Sequence, residues 1–205
     1  MLPRRIAALL LCAACVPGLP PRAAATLVAT LDLDELVARA DLIAIGRVAH
    51  TIELRAATGG VGTEVALGAC TLLKGTARCP VTFAVPGGRS GRYRTVVAGA
   101  PILREGDEIV VFLRDQSPRR STLVGFSQGL IRVSRHPVTS EALVMAPPSA
   151  SPVDRRVVRG DPGRKPVPLA ALAREIQGVV WRDRTSDERR RGSDRRSGKQ
   201  VGAGW

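Results

Sequence analysis

The chain has 205 residues, with 31 Lys or Arg against 18 Asp or Glu, a formal net charge of +13, and only 3% aromatic residues. That length suits one domain with irregular ends. The arginine surplus invites a nucleic-acid reading, but so few aromatics leave no stacking surface for a single strand.

Arg4 and Arg5 precede an apolar run, Ile6 to Val16, and a small-residue site, Ala23-Ala24-Ala25. This order is that of a secretory signal, and its apolar part is too short to span a bilayer. Residues 1–25 are therefore expected to be removed, leaving an exported chain, periplasmic or extracellular, with no transmembrane span. Cys12-Ala13-Ala14-Cys15 puts a cysteine where a lipoprotein signal needs an aliphatic residue, so lipidation is the less favoured route. Loss of Arg4, Arg5 and Arg22 lowers the charge to about +10. Most of that sits in residues 153–166 and 182–205, so the expected folded part is nearly balanced.

Leu33, Leu36, Val37 and Ala40 recur at helical spacing within Leu31 to Ala40, and Asp32, Asp34 and Glu35 complement the positive end of a helix dipole. From Asp41 the period changes to that of strands. Leu42 to Leu54, Thr63 to Leu73, Val81 to Val85, Arg94 to Ala98, Glu108 to Arg114, Thr122 to Phe126, Leu130 to Ser134 and Glu141 to Met145 each carry β-branched or aliphatic residues between turn signals. Val81, Phe83 and Val85 alternate with Thr82 and Ala84, as burial of one face requires. Short connections favour antiparallel pairing, so residues 26–146 are expected to form a mainly β domain, a small antiparallel barrel or sandwich. Six prolines make residues 147–168 a linker. Leu169, Leu172, Ala173, Ile176, Val179 and Val180 predict a C-terminal amphipathic helix over 169–181. Residues 182–205, rich in charge and poor in aliphatics, read as a disordered basic tail.

Gly125-Phe126-Ser127-Gln128-Gly129 fits the G-x-S-x-G nucleophile elbow in letters only. An elbow joins a strand to a helix, and here the flanking segments both read as strands, which makes Ser127 a turn residue and the catalytic set empty. His50, His136, Cys70 and Cys79 are the soft ligands outside the leader, without metal-ligand spacing, so no metal or cofactor is expected. Cys70 and Cys79 flank the Lys74-Gly75 turn. Export permits a bond between them, while strand parity, with Val65, Leu67 and Ala69 inward, turns Cys70 outward unless a bulge intervenes; both the disulfide and two free thiols stay open. Pro86 to Arg92 is a glycine-rich loop without the Lys-Ser or Lys-Thr pair of a phosphate cradle. Arg89, Arg92 and Tyr93 make it a candidate ligand-contact loop.

Taken together and in this order, A-D-L-I-A-I-G-R-V (Ala40 to Val48), L-L-K-G (Leu72 to Gly75), V-P-G-G (Val85 to Gly88), the segment Gly99 to Leu113 and G-F-S-Q-G-L-I-R-V (Gly125 to Val133) resemble a group of bacterial secreted proteins with no established activity. A looser resemblance is to the OB-like barrels of netrin-type modules and tissue inhibitors of metalloproteinases, which also place an A-D-x-x-x-x-G-x-V segment ahead of a small barrel. The N-terminal cysteine and disulfide framework of those inhibitors are missing here. The resemblances imply an exported, OB-like domain. A core, an export signal and an empty catalytic set make the expected function that of a non-catalytic binding module whose partner is a protein or an anionic envelope surface, and the barrel resemblance supplies the alternative, an inhibitor or accessory protein of a secreted peptidase.

Overall fold

The computed structural model describes residues 30–55, 60–117, 120–147 and 165–200. The expected signal segment, residues 1–25, and most of the expected linker lie outside them.

Helix α1, Leu33–Arg39, begins at Asp32, whose carboxylate accepts from the Glu35 amide at 2.7 Å while the Glu35 carboxylate accepts from the Asp32 amide. This reciprocal cap satisfies amides that have no partner inside the helix, and it gives the acids of the first turn a structural task. Leu33, Leu36 and Val37 form the buried face.

The strands follow in chain order: β1 Leu42–Arg55, β2 Val61–Lys74, β3 Val81–Pro86, β4 Gly88–Ser90, β5 Tyr93–Thr95, β6 Glu108–Ser117, β7 Arg120–Leu123, β8 Leu130–Arg135, β9 Ala142–Val144 and β10 Val167–Pro168. Five of them close a barrel in the order β1-β2-β3-β7-β6, with β6 returning to β1. The fold is thus mainly β, a small closed barrel with two helices. Every joint is antiparallel except β3 with β7, which is parallel and held by the single pair Ala84 and Thr122. An all-antiparallel expectation fails at that joint.

β6 is shared. Its side away from β1 pairs with β7 through Leu113 and Leu123, and with β8 through Val111 and Leu130. β8 then leads to β9 and β10, forming an arm beside the barrel. Alternate side chains of β1 and β6 therefore enter different cores. Leu42, Ala44, Ile109, Val111 and Leu113 fill the barrel with Val65, Leu67, Val81, Phe83 and Val85. Ile43, Val110 and Phe112 face the other way, against α1, Ile131, Val144 and helix α2, Leu169–Gln200, through Leu172, Ile176, Val179 and Val180. Burial on both faces explains the unbroken apolar run Ile109 to Leu113.

Three further expectations change. The pairing of β1 with β2 slips between Gly46–Cys70 and Val48–Leu67, so β2 carries one extra residue there. A bulge re-phases the strand: Ala69 turns outward and Cys70 packs against the barrel core. Within the expected linker, Val167 and Pro168 pair with Val144 and Leu143, a place open to proline because β10 is an edge strand. The C-terminal helix also continues past Trp181 into the segment assigned to a disordered tail. Lack of apolar residues excludes burial but not helicity, and arginine is a good helix former. Arg182, Arg184 and Arg189 are indeed exposed there. Among the described residues no helix is long and apolar enough to cross a membrane.

Candidate binding site

The parallel joint is the weak seam of the barrel. Past the single Ala84–Thr122 pair the two strands part, and a cavity of about 470 Å³ opens between the start of β2, the end of β3 and β7. Its walls are Val61, Val85, Pro86, Leu123, Pro101 and Phe126, with Thr122 as the one side chain bearing a hydroxyl. This is the size and polarity of a small-ligand site: largely apolar, with few polar atoms.

Phe126 is held at φ 64°, next to Gly125 at φ 58°. A bulky side chain in the left-handed region costs on the order of 1–2 kcal/mol. The position would suit glycine or asparagine, so an aromatic ring there needs a cause outside the turn. That ring lines the cavity, remains 36% exposed, and lies over Gly99, where an added Cβ would be 3.5 Å from it. Val96 and Ile102 in the same connection are more than half exposed.

The candidate contact loop rises from this wall. The Gly87 amide donates to the Val61 carbonyl at 3.0 Å, the Thr63 hydroxyl donates to the Gly87 carbonyl at 2.8 Å, and a Cβ on Gly88 would be 2.7 Å from that hydroxyl. Glycine thus lets the turn press against β2. The segment is a hairpin, β4 with β5, in place of the expected longer strand at Arg94 to Ala98. It sets Arg89 directly opposite Arg94 and Ser90 opposite Tyr93. Like charges opposite each other destabilise a strand pair. Arg92 stacks over the Tyr93 ring at 5.2 Å and its guanidinium donates to the Tyr93 hydroxyl at 3.1 Å. Among the described residues no carboxylate lies within ion-pair distance of Arg89, Arg92 or Arg94. Sequence reading found Arg89, Arg92 and Tyr93 but not Arg94, which it placed inside a strand, and not the cavity.

Three arginines near β6 and β8 are paired instead. Arg132 donates to Asp107 at 2.8 Å, and Arg135 and Arg47 both reach Glu108. Burial acts to raise the Asp107 carboxyl, but the Arg104 amide and the Arg132 guanidinium outweigh it and hold the group below its usual value.

Cys70 and Cys79 are disulfide-bonded with Cα atoms 6.1 Å apart, and Gly46 opposite Cys70 leaves no room for a side chain, a Cβ there meeting the Ala69 carbonyl at 2.9 Å. Ser127 sits in a four-residue excursion, not a hairpin: β7 and β8 lie on one side of β6, and Phe112 bonds both ends of the excursion, its amide to Gly129 and its carbonyl to Val124. Gln128 Oε1 accepts from the Leu31 amide at 2.7 Å. His136 Nδ1 accepts from the amides of Val138 and Thr139, so its ring serves its own turn. His50 is exposed on β1. Among the described residues no three His, Cys, Asp or Glu side chains gather as metal ligands would.

No family model matches the chain, and no curated protein or solved structure is similar to it.

Proposed function

We propose that the chain is a non-catalytic, exported binding module that engages an anionic partner, a protein or an envelope component, through the β4–β5 hairpin and the cavity at its base. The observation that carries the reading is the hairpin itself: Arg89 opposes Arg94 with Arg92 between them in sequence and no described acid beside them. Arg89 and Arg94 repel each other across that pair in the folded chain, whereas an anion bound between the guanidinium groups makes their juxtaposition favourable. Strain at Phe126 on the neighbouring wall points the same way, since strained residues persist at binding sites more than elsewhere. The Cys70–Cys79 bond supports the exported setting, where disulfides last.

The reading is tested in the producing cell with a photo-crosslinking residue in place of Tyr93. Illumination is expected to give a discrete adduct that disappears in the R89Q/R92Q/R94Q background. Absence of any adduct from position 93 overturns the reading, and so does fluorophosphonate labelling of Ser127 that is lost in Ser127→Ala.

A further inference from the structure

We infer that the cavity takes the hydrocarbon chain of a free single-chain carboxylate, a ligand of the fatty-acid class, with its carboxylate held by Arg89 and Arg94. This rests on the binding-module reading and takes its anionic partner to be a small lipid-derived component of the envelope and not a protein.

The charge and the apolar space are polarised. Cationic groups stand beyond one rim, on the hairpin that follows Pro86, while the walls from Val61 to Phe126 are hydrocarbon apart from Thr122. Arg89 is three residues from Pro86, so at about 3.3 Å per residue its Cα lies within roughly 10 Å of the rim. A ligand spanning both regions needs an apolar body and a terminal anion. The cavity grows from two strands that part after one pair, and paired strands lie about 4.8 Å apart. A cleft opening from that width suits an unbranched chain better than a fused ring system. Gly60 and Gly62 on its floor add no side chain to the space. At the other end, the register sets Arg89 and Arg94 side by side on one strand pair, and a carboxylate has two oxygens to offer them once Arg89 gives up its contact with the Gly91 carbonyl at 3.3 Å.

Calorimetry on the full chain with octanoate, decanoate, decanol and acetate tests this. Decanoate is expected to bind; burial of each methylene strengthens binding about four-fold, so octanoate should be weaker by on the order of ten-fold. Acetate should give no heat. R89Q/R94Q should weaken decanoate at least about ten-fold while leaving decanol unchanged. Phe126→Asn, which suits the left-handed backbone, should weaken both decyl ligands in a chain whose circular dichroism is unaltered. Equal binding of acetate and decanoate, equal binding of decanol and decanoate, or no heat from any of them overturns the inference. So does binding to anionic phospholipid vesicles that decanoate does not displace. An adduct at position 93 that persists under saturating decanoate refutes the ligand class and leaves the binding-module reading standing. No adduct and no decanoate binding refute both.

Discussion

The barrel interior and the helix-covered core share the wall formed by β1 and β6, yet they are closed in different ways. Around the barrel the seal is backbone pairing, strong where β1 meets β2 over 14-residue strands and weak where β3 meets β7 through one pair. Over the second core the seal is side chains: Leu172, Ile176, Val179 and Val180 of α2 lie across Val110 and Phe112. A core sealed by a helix has no seam, because the helix satisfies its own backbone. A core sealed by strand pairing opens wherever a pair is missing, and the candidate cavity stands at that place. The site thus follows from how the barrel closes.

The largest effect should come from the rings at the centre of each core, Phe112 on the shared wall and Phe83 on β3. Phe112→Ala and Phe83→Ala each remove a fully buried ring and should each cost about 3–5 kcal/mol in urea unfolding. They should differ in where the loss appears. Hydrogen exchange is expected to quicken first in α2 for Phe112→Ala and first in β3 for Phe83→Ala; identical patterns would show that the two cores act as one.

Next in size is the bond that ties β2 to the segment before β3. Replacing Cys70 and Cys79 by serine opens a loop with a sequence separation of 9, worth about 2–3 kcal/mol by loop-closure entropy. An unchanged urea midpoint under reducing conditions would show that the barrel end does not depend on it.

A smaller effect belongs to the β6–β8 arm. Asp107 has a depressed folded pKa, so its contribution is present above the unfolded value of about 4 and is lost as pH falls through the folded value. Asp107→Asn should cost about 1 kcal/mol or less at neutral pH, since the Arg132 side chain it meets is half exposed. The variant should also lose less stability than the parent between about pH 4 and pH 2. Parallel acid limbs for the two proteins would remove Asp107 from the account.

Much of the barrel is legible in the sequence because its signals are local. Val81, Phe83 and Val85 alternate and are buried, with Thr82 exposed. The run Ile109 to Leu113 announces burial on both faces, though not what covers the second face. Phase is lost at Gly68 and Ala69, because two small residues carry no apolar marker of a bulge, so strand parity by itself leaves the face of Cys70 open. Composition does not reveal the length of α2, because it reports on burial rather than helicity. The cavity is least visible: its walls come from positions between Gly60 and Phe126, and only the missing pairs between β3 and β7 bring them to one gap. Phe126 itself gives no warning, since nothing in G-F-S-Q-G shows that the phenylalanine adopts a positive φ.

The smallest effect is expected at Ser127, the residue that a motif search nominates first. The excursion that holds it is fixed by its neighbours. Gly125 fits beneath Leu31, where a Cβ would come within 2.6 Å of that side chain, and Gly129 is pressed on the Val124 and Phe112 backbone at 2.6–2.9 Å. Gln128 ties the turn to the chain entering α1. Ser127 contributes its backbone carbonyl, which accepts from the Leu130 amide at 3.3 Å, and its side chain is exposed. Ser127→Ala keeps the carbonyl and removes only an exposed hydroxyl, so unfolding should shift by less than about 1 kcal/mol. Gly129→Ala at the foot of the same excursion should cost about 3 kcal/mol, because backbone atoms cannot yield to the added methyl as a flexible side chain would. If Ser127→Ala proves the more damaging of the two, the excursion is held together by its tip, and the assignment of its structural role to the two glycines is wrong.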